Sequence, residues 1–218
     1  QKYGYEKELY KDEVTPEYER DIQTYVVPST VEKIDEMCFN YANLRVIYLP
    51  EGLKRIETLA IFKLHERVDQ WGTTPSLVNV YSYKSDKVTS THFTSEKALG
   101  EVYNSLPEGL EFIGSDAFSY NQALSYVYIP AGLGKINDFL FANCTTLEEV
   151  VVPEGITEIG NGVFMGCVNL KKITLPSTLE IIGESVFSRC FCLEDVVLPE
   201  RLKSVDHFAF MFCRKLTK

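Results

Sequence analysis

Prolines at Pro107, Pro130, Pro153, Pro176 and Pro199 recur at a constant spacing of 23 residues, and the residues between them recur as well. Counting from each proline, the third position is Leu110, Leu133, Ile156, Leu179 and Leu202, and the sixth is Ile113, Ile136, Ile159, Ile182 and Val205. The eleventh is Phe118, Phe141, Phe164, Phe187 and Phe210. Asn121, Cys144, Cys167, Cys190 and Cys213 hold the fourteenth, and Leu124, Leu147, Leu170, Leu193 and Leu216 the seventeenth. The frame runs back through Pro50 (Leu53, Ile56, Ile61) and Pro28 (Val31, Ile34, Phe39), and "IQTYVVP" at Ile22 to Pro28 matches the strand part of an earlier unit. A unit this short cannot bury its own apolar side chains, so it is stable only when stacked on its copies. The pattern predicts a repeat solenoid with one continuous core.

The recurring "L-x-x-V-x-[LI]-P" reads as one short strand per coil. These strands would form one parallel sheet on the concave face, spaced by about 4.8 Å, opposite a mostly irregular or short-strand convex side. Proline ends each strand because it has no N–H for the ladder. The seventh position (Gly114, Asn137, Gly160, Gly183, Asp206) carries residues that tolerate a left-handed or tight-turn backbone and is expected to be a corner of the coil. The repeat also accounts for "GNGVFMG" at Gly160 to Gly166, which superficially resembles a phosphate loop.

Between Pro50 and Pro107 the frame is interrupted. "HFTSEKALGEVY" (His92 to Tyr103) aligns without gaps on "AFSYNQALSYVY" (Ala117 to Tyr128), which predicts a degenerate coil. An insertion at about 63–76, holding the sole tryptophan Trp71, and a bulge at Asn104 and Ser105 take up the rest. A rival reading makes Ser95 to Leu106 an amphipathic helix. Residues 1–21, with eleven charged side chains and four tyrosines, read as a polar cap or linker. Residues 22–218 then form about eight coils, the last lacking its strand after Leu216 and so belonging to a longer array or pairing with another molecule.

Units such as "LPSTLEIIGESVFSRCFCLEDVVLP" (Leu175 to Pro199) resemble the BspA-like, or Treponema-type, leucine-rich repeats, whose pattern runs proline, two aliphatics, glycine, Ala-Phe, cysteine and strand. The resemblance covers Ile22 to Leu216 and departs in the middle, at the insertion and the proline-less unit. It implies a secreted or surface-attached protein of host-associated bacteria or some protists, engaged in adhesion or protein contact.

A formal charge of -9 excludes electrostatic nucleic-acid binding, because neutralising phosphates takes a surplus of Lys and Arg. No stretch reaches the roughly 18–20 consecutive apolar residues that span a bilayer. The chain begins at Gln1 without an initiator methionine, as a processed protein or trimmed segment would.

The cysteines at the fourteenth position read as a buried structural ladder. Cys38, at the slot of Ala60 and Ala117, reads as core. Cys190 and Cys192 have a C-x-C spacing that is no zinc signature. His65, His92 and His207 lie in different parts of the coil with no recurring acidic or nucleophilic partner, so no catalytic set, metal site or cofactor is expected.

Strand alternation points elsewhere. With Leu124, Val127 and Ile129 inward, Tyr128 faces out, and the same slot in successive strands reads Val26, Tyr48, Tyr81, Tyr103, Tyr128, Val151, Thr174 and Val197. The tyrosines Tyr48, Tyr81, Tyr103 and Tyr128 are thus expected as an exposed column, widened by Val78 and Tyr126. Such a column serves either as a self-stacking aromatic ladder or as a recognition strip for a protein or a glycan. Glu148 and Glu149, Lys171 and Lys172, and Glu194 and Asp195 place opposite charges on neighbouring strands, and Trp71 is a loop candidate. The chain is read as a non-enzymatic binding or adhesion module, with a glycan-binding module or an architectural spacer as alternatives.

Overall fold

The computed structural model describes residues 24–39, 44–61, 78–85, the backbone of 101–103, and 105–217. The longer strands are β1 (Thr24–Val26), β3 (Val46–Pro50), β5 (Asn79–Lys84), β6 (Glu101–Tyr103), β8 (Tyr126–Tyr128), β10 (Glu149–Val151) and β12 (Lys172–Thr174). Two-residue strands alternate with them: β2 (Lys33–Ile34), β4 (Arg55–Ile56), β7 (Phe112–Ile113), β9 (Lys135–Ile136), β11 (Glu158–Ile159), β13 (Ile181–Ile182) and β14 (Ser204–Val205). Coils stack with parallel pairing, β1 on β3 on β5 and β8 on β10 on β12, as the repeat predicts. The sixth-position aliphatics form the short ladder, Ile34 on Ile56 on Ile113, then Ile136 on Ile159 on Ile182 on Val205.

A third ladder turns the remaining side of the coil. The N–H groups of the ninth, eleventh and thirteenth positions donate to carbonyls of the following coil: Phe139 to Asn161, Phe141 to Val163 and Asn143 to Met165, at 2.8, 3.0 and 2.6 Å. The ninth and thirteenth positions are left-handed in coil after coil, at Met37, Leu59, Asp116, Phe139, Gly162, Ser185 and Phe208, and at Tyr120, Asn143, Gly166, Arg189 and Phe212, with φ between 55° and 73°. Left-handed backbone costs an L-residue roughly 1–2 kcal/mol. Here it turns alternate N–H groups along the solenoid axis, where each meets an acceptor.

The seventh position is not left-handed. Its glycines are required by contact between coils: a Cβ on Gly114 would sit 2.3 Å from the Thr58 nitrogen, and one on Gly183 2.9 Å from the Gly160 carbonyl carbon. The coil is tightest there.

The core is built from columns of like residues. Phe118, Phe141, Phe164, Phe187 and Phe210 stack with centroids 5.8, 5.9, 5.8 and 5.1 Å apart. Beside them each cysteine thiol donates to the phenylalanine carbonyl of the preceding coil, Cys144 to Phe118, Cys167 to Phe141, Cys190 to Phe164 and Cys213 to Phe187, at 3.3, 3.2, 3.2 and 3.1 Å. Cys38 departs from its core assignment and is exposed. Ala209, in the last described coil, is buried, so the tenth position packs against the coil before it, and Cys38 has no described coil before it.

The middle of the chain also differs from its sequence reading. β6 runs antiparallel to β5, Ser82 opposite Tyr103, so residues 101–103 are neither the strand of a parallel coil nor part of a helix. The coil after Pro50 stacks directly on the coil after Pro107, through β4 on β7 and a 3.0 Å bond from Leu59 N–H to the Ser115 carbonyl. Val80 and Tyr81 supply the strand of that coil, and Leu106 and Pro107 its exit. The Ser82 and Ser105 hydroxyls lie 3.4 Å apart. The described residues carry seven turns of the short ladder, and residues 86–100, most of the proposed degenerate coil, lie outside the described residues. The proposed 63–76 insertion lies outside the described residues.

Phe164 is fully buried between two stacked rings. Phe164→Ala is expected to cost about 3–5 kcal/mol, read as a lower urea midpoint, because neighbouring coils held by three ladders cannot collapse into the cavity.

Candidate functional site

The outer face of the longer strands has two different halves. In the first sheet Val26, Tyr48 and Tyr81 are in register, and the Tyr48 and Tyr81 rings stack 5.3 Å apart. This column is not a free surface: Tyr48 is 4% exposed and forms an apolar cluster with Val26 and Tyr83, against which Val46 and Tyr81 pack. The Tyr83 hydroxyl donates to the Val27 carbonyl, tying β5 to the exit of β1 across β3. Burial holds the Tyr83 phenol above its ordinary pKa, so it stays a donor. The expected exposed column through Tyr48, Tyr81, Tyr103 and Tyr128 is thus corrected. Tyr48 is buried, Tyr81 half-buried and Tyr103 on the antiparallel strand, and Val78 is core.

In the second sheet the same face is open. Tyr126 and Tyr128 are 42% and 41% exposed, on either side of buried Val127. Tyr128 leads an outward column with Val151 and Thr174, and Tyr126 leads one with Glu149 and Lys172. Beside β8 a small notch is lined by Val80, Ser105, Leu106, Leu124, Val127 and Phe141, with both tyrosines at its mouth.

The predicted charges meet as cross-strand pairs. Lys171 Nζ lies 2.7 Å from Glu148 Oε2, and Lys172 Nζ 2.8 Å from Glu149 Oε1. Hydrogen bonding to the carboxylate, then its charge, raises both lysine pKa values. These groups are solvent-exposed, so the pairs order side chains on the sheet more than they stabilise the fold. Asp195 continues the column by a parallel bridge to Lys172, its carboxylate 3.1 Å from the Thr217 hydroxyl, and Glu194 is exposed beside it.

Trp71, His65 and His92 lie outside the described residues, and His207 is exposed on the last coil. Among the described residues no group of three or more His, Cys, Asp or Glu side chains is placed to hold a metal ion. None of the described helices is long and apolar enough to cross a membrane. None of the six cysteines forms a disulfide, and burial pushes the Cys144 thiol up to about 12 and the Cys167 thiol well above its ordinary range. Cys144 and Cys167 are structural donors, protonated at neutral pH.

Parallel coils, a phenylalanine column and a cysteine ladder define a leucine-rich repeat solenoid. The chain belongs to the BspA-type leucine-rich repeat family, whose model matches residues 17–66 and 86–217 in six copies. Solved structures share the fold. A leucine-rich repeat protein from Treponema pallidum is 21% identical with a TM-score of 0.68, covering 96% of this chain and 89% of that one. One from Eubacterium ventriosum is 22% identical with a TM-score of 0.65, covering 90% and 44%. One from Bacteroides ovatus is 20% identical with a TM-score of 0.56, covering 84% and 45%. The chain therefore spans less than half the length of the last two. No curated protein matches it.

Burial and raised pKa separate the cysteines by reactivity. At pH 8, maleimide is expected to label exposed Cys38 in the native protein and to reach Cys144, Cys167 and Cys190 only after unfolding. Site-resolved mass spectrometry showing equal labelling of all six would contradict the ladder.

Proposed function

We propose that this chain is a non-catalytic binding module of a secreted or cell-surface adhesion protein, and that it recognises a protein partner through the outer face of β8, β10 and β12. The observation that carries the reading is the contrast along one strand column. Tyr48 is 4% exposed and Tyr128 is 41% exposed, so on the described outer strand face the aromatic surface open to a partner lies mainly at Tyr126 and Tyr128. Tyrosine offers a large amphipathic contact with few torsions to immobilise, and its position on a strand pinned by an inward Val127 keeps it pre-organised. Glu148, Glu149, Lys171, Lys172, Glu194 and Asp195 border it with alternating sign. Charges of this kind select partners and steer encounter more than they add affinity. Tyr81 would contribute at the margin, and Tyr103 and Trp71 stay candidates on sequence alone. Membership of the BspA-type family supports export and surface attachment.

Replacing both anchors tests the reading. Tyr126→Ser with Tyr128→Ser is expected to abolish capture of the protein partners that the parent chain retains from cell-surface extracts. Stability should change by no more than about 0.5 kcal/mol, as for other surface substitutions. Retained capture would refute the site, binding confined to a glycan array would favour a carbohydrate ligand, and no binding by the parent chain to either would favour a spacer.

A further inference from the structure

One junction of the solenoid is built differently from the others. Elsewhere on the short ladder the seventh-position N–H donates to the sixth-position carbonyl of the coil before, as Gly114 to Ile56 at 2.7 Å, Gly160 to Ile136 at 2.8 Å and Gly183 to Ile159 at 2.9 Å. Between β7 and β9 the two strands are not paired, and the Asn137 side-chain amide reaches the Ile113 carbonyl instead, at 2.7 Å. The same coil holds a 3₁₀ turn at Ala131–Leu133 and a left-handed Gly134, with φ of 64°.

The longer ladder breaks at the same junction. β5 pairs with β3 and β6, β8 pairs with β10, and neither pairs with the other. Where Glu148 N–H donates to the Ser125 carbonyl and Lys171 N–H to that of Glu148, the carbonyl of Val78 is taken by the Asn121 side-chain amide at 2.9 Å. Asn121 stands where the next four coils carry cysteine, and its Oδ1 also accepts from Ala123 and Leu124 N–H. Of the backbone ladders only the third crosses unbroken, with Asp116 to Asp138, Phe118 to Leu140 and Tyr120 to Ala142 at 3.1, 3.1 and 2.7 Å, and beside it the Phe118–Phe141 stack and the Cys144 thiol bond to the Phe118 carbonyl cross as well.

We infer that this junction is a hinge: the two stacks pivot about the continuous third ladder and part at the strand face between β5 and β8, widening the notch beneath Tyr126 and Tyr128 into a cleft. In a quasi-one-dimensional solenoid, opening falls at the weakest interface between neighbours, and here two backbone ladders are reduced to one amide each. The cleft would admit an apolar side chain against Val80, Leu106 and Phe141. The hinge does not require that the surface bind a protein, so it stands or falls separately from that reading.

Two buried valines at equivalent positions test it in the full chain: Val127, 5% exposed at the notch, and Val150, 0% exposed within a continuous sheet. Val127→Cys should react with maleimide at least about tenfold faster than Val150→Cys, since opening exposes only the former. Adding Asn137→Gly, which installs the residue found at Gly114 and Gly160, removes the amide tie on the short ladder away from β8. It should speed labelling at Val127→Cys and leave Val150→Cys unchanged. Acceleration of both, or of neither, would overturn the hinge. Amide hydrogen exchange on the unsubstituted protein gives a second readout. Residues 105–106 and 126–128 should exchange as one unit faster than 149–151, and uniform protection across the junction would again overturn it.

Discussion

Every other feature of this molecule depends on like side chains stacking on like from coil to coil. The five phenylalanines set the pattern. Their centroid separations of 5.1–5.9 Å exceed the roughly 4.8 Å strand spacing, as expected for offset rings that avoid face-to-face repulsion. The cysteines answer a different requirement in the same column. Each phenylalanine carbonyl already accepts the N–H three residues on in its own coil, and a small thiol from the next coil fits beside the ring and donates to the remaining lone pair. In the one of the five regular coils that lacks the cysteine, Asn121 takes the slot and donates to a different carbonyl, and there the strand ladder also breaks.

Close stacking explains where backbone strain is tolerated. Ten of the described residues other than glycine, among them Leu59, Phe139 and Phe212, sit in the left-handed region. Side-chain chemistry does not favour it there. The conformation persists because it lets alternate N–H groups reach the next coil, and buried backbone donors must find acceptors. Glycine is needed elsewhere, at Gly114, Gly160 and Gly183, where a Cβ would meet the backbone of the neighbouring coil at 2.3, 2.9 and 2.9 Å. Sequence shows the glycines but not whether a left-handed turn or close contact between coils requires them.

The middle of the chain deceived the repeat reading for a related reason. Residues 92–103 align on 117–128 at an offset of 25, two more than the repeat, because their apolar spacing matches that of a coil. Strand direction leaves no trace in such an alignment, and only the antiparallel register of β6 on β5 reveals it. The consequence reaches the candidate site: Tyr103 is removed from the parallel column, and the exposed tyrosines of the described outer strand face narrow to Tyr126 and Tyr128.

Periodicity alone determined that the chain is a parallel solenoid, which residues form its core columns, and that Glu148, Glu149, Lys171 and Lys172 oppose one another across strands, because each follows from placing identical units one repeat apart. Tertiary structure decided which part of the outward face is available and where the stack is discontinuous. A strand alternation rule assigns Tyr48 and Tyr128 to the same side and cannot distinguish them, since burial depends on what else packs against that side. Nor does a single asparagine in a column of cysteines or glycines announce a broken ladder, because the break lies in hydrogen bonds between coils rather than in the residues of either one.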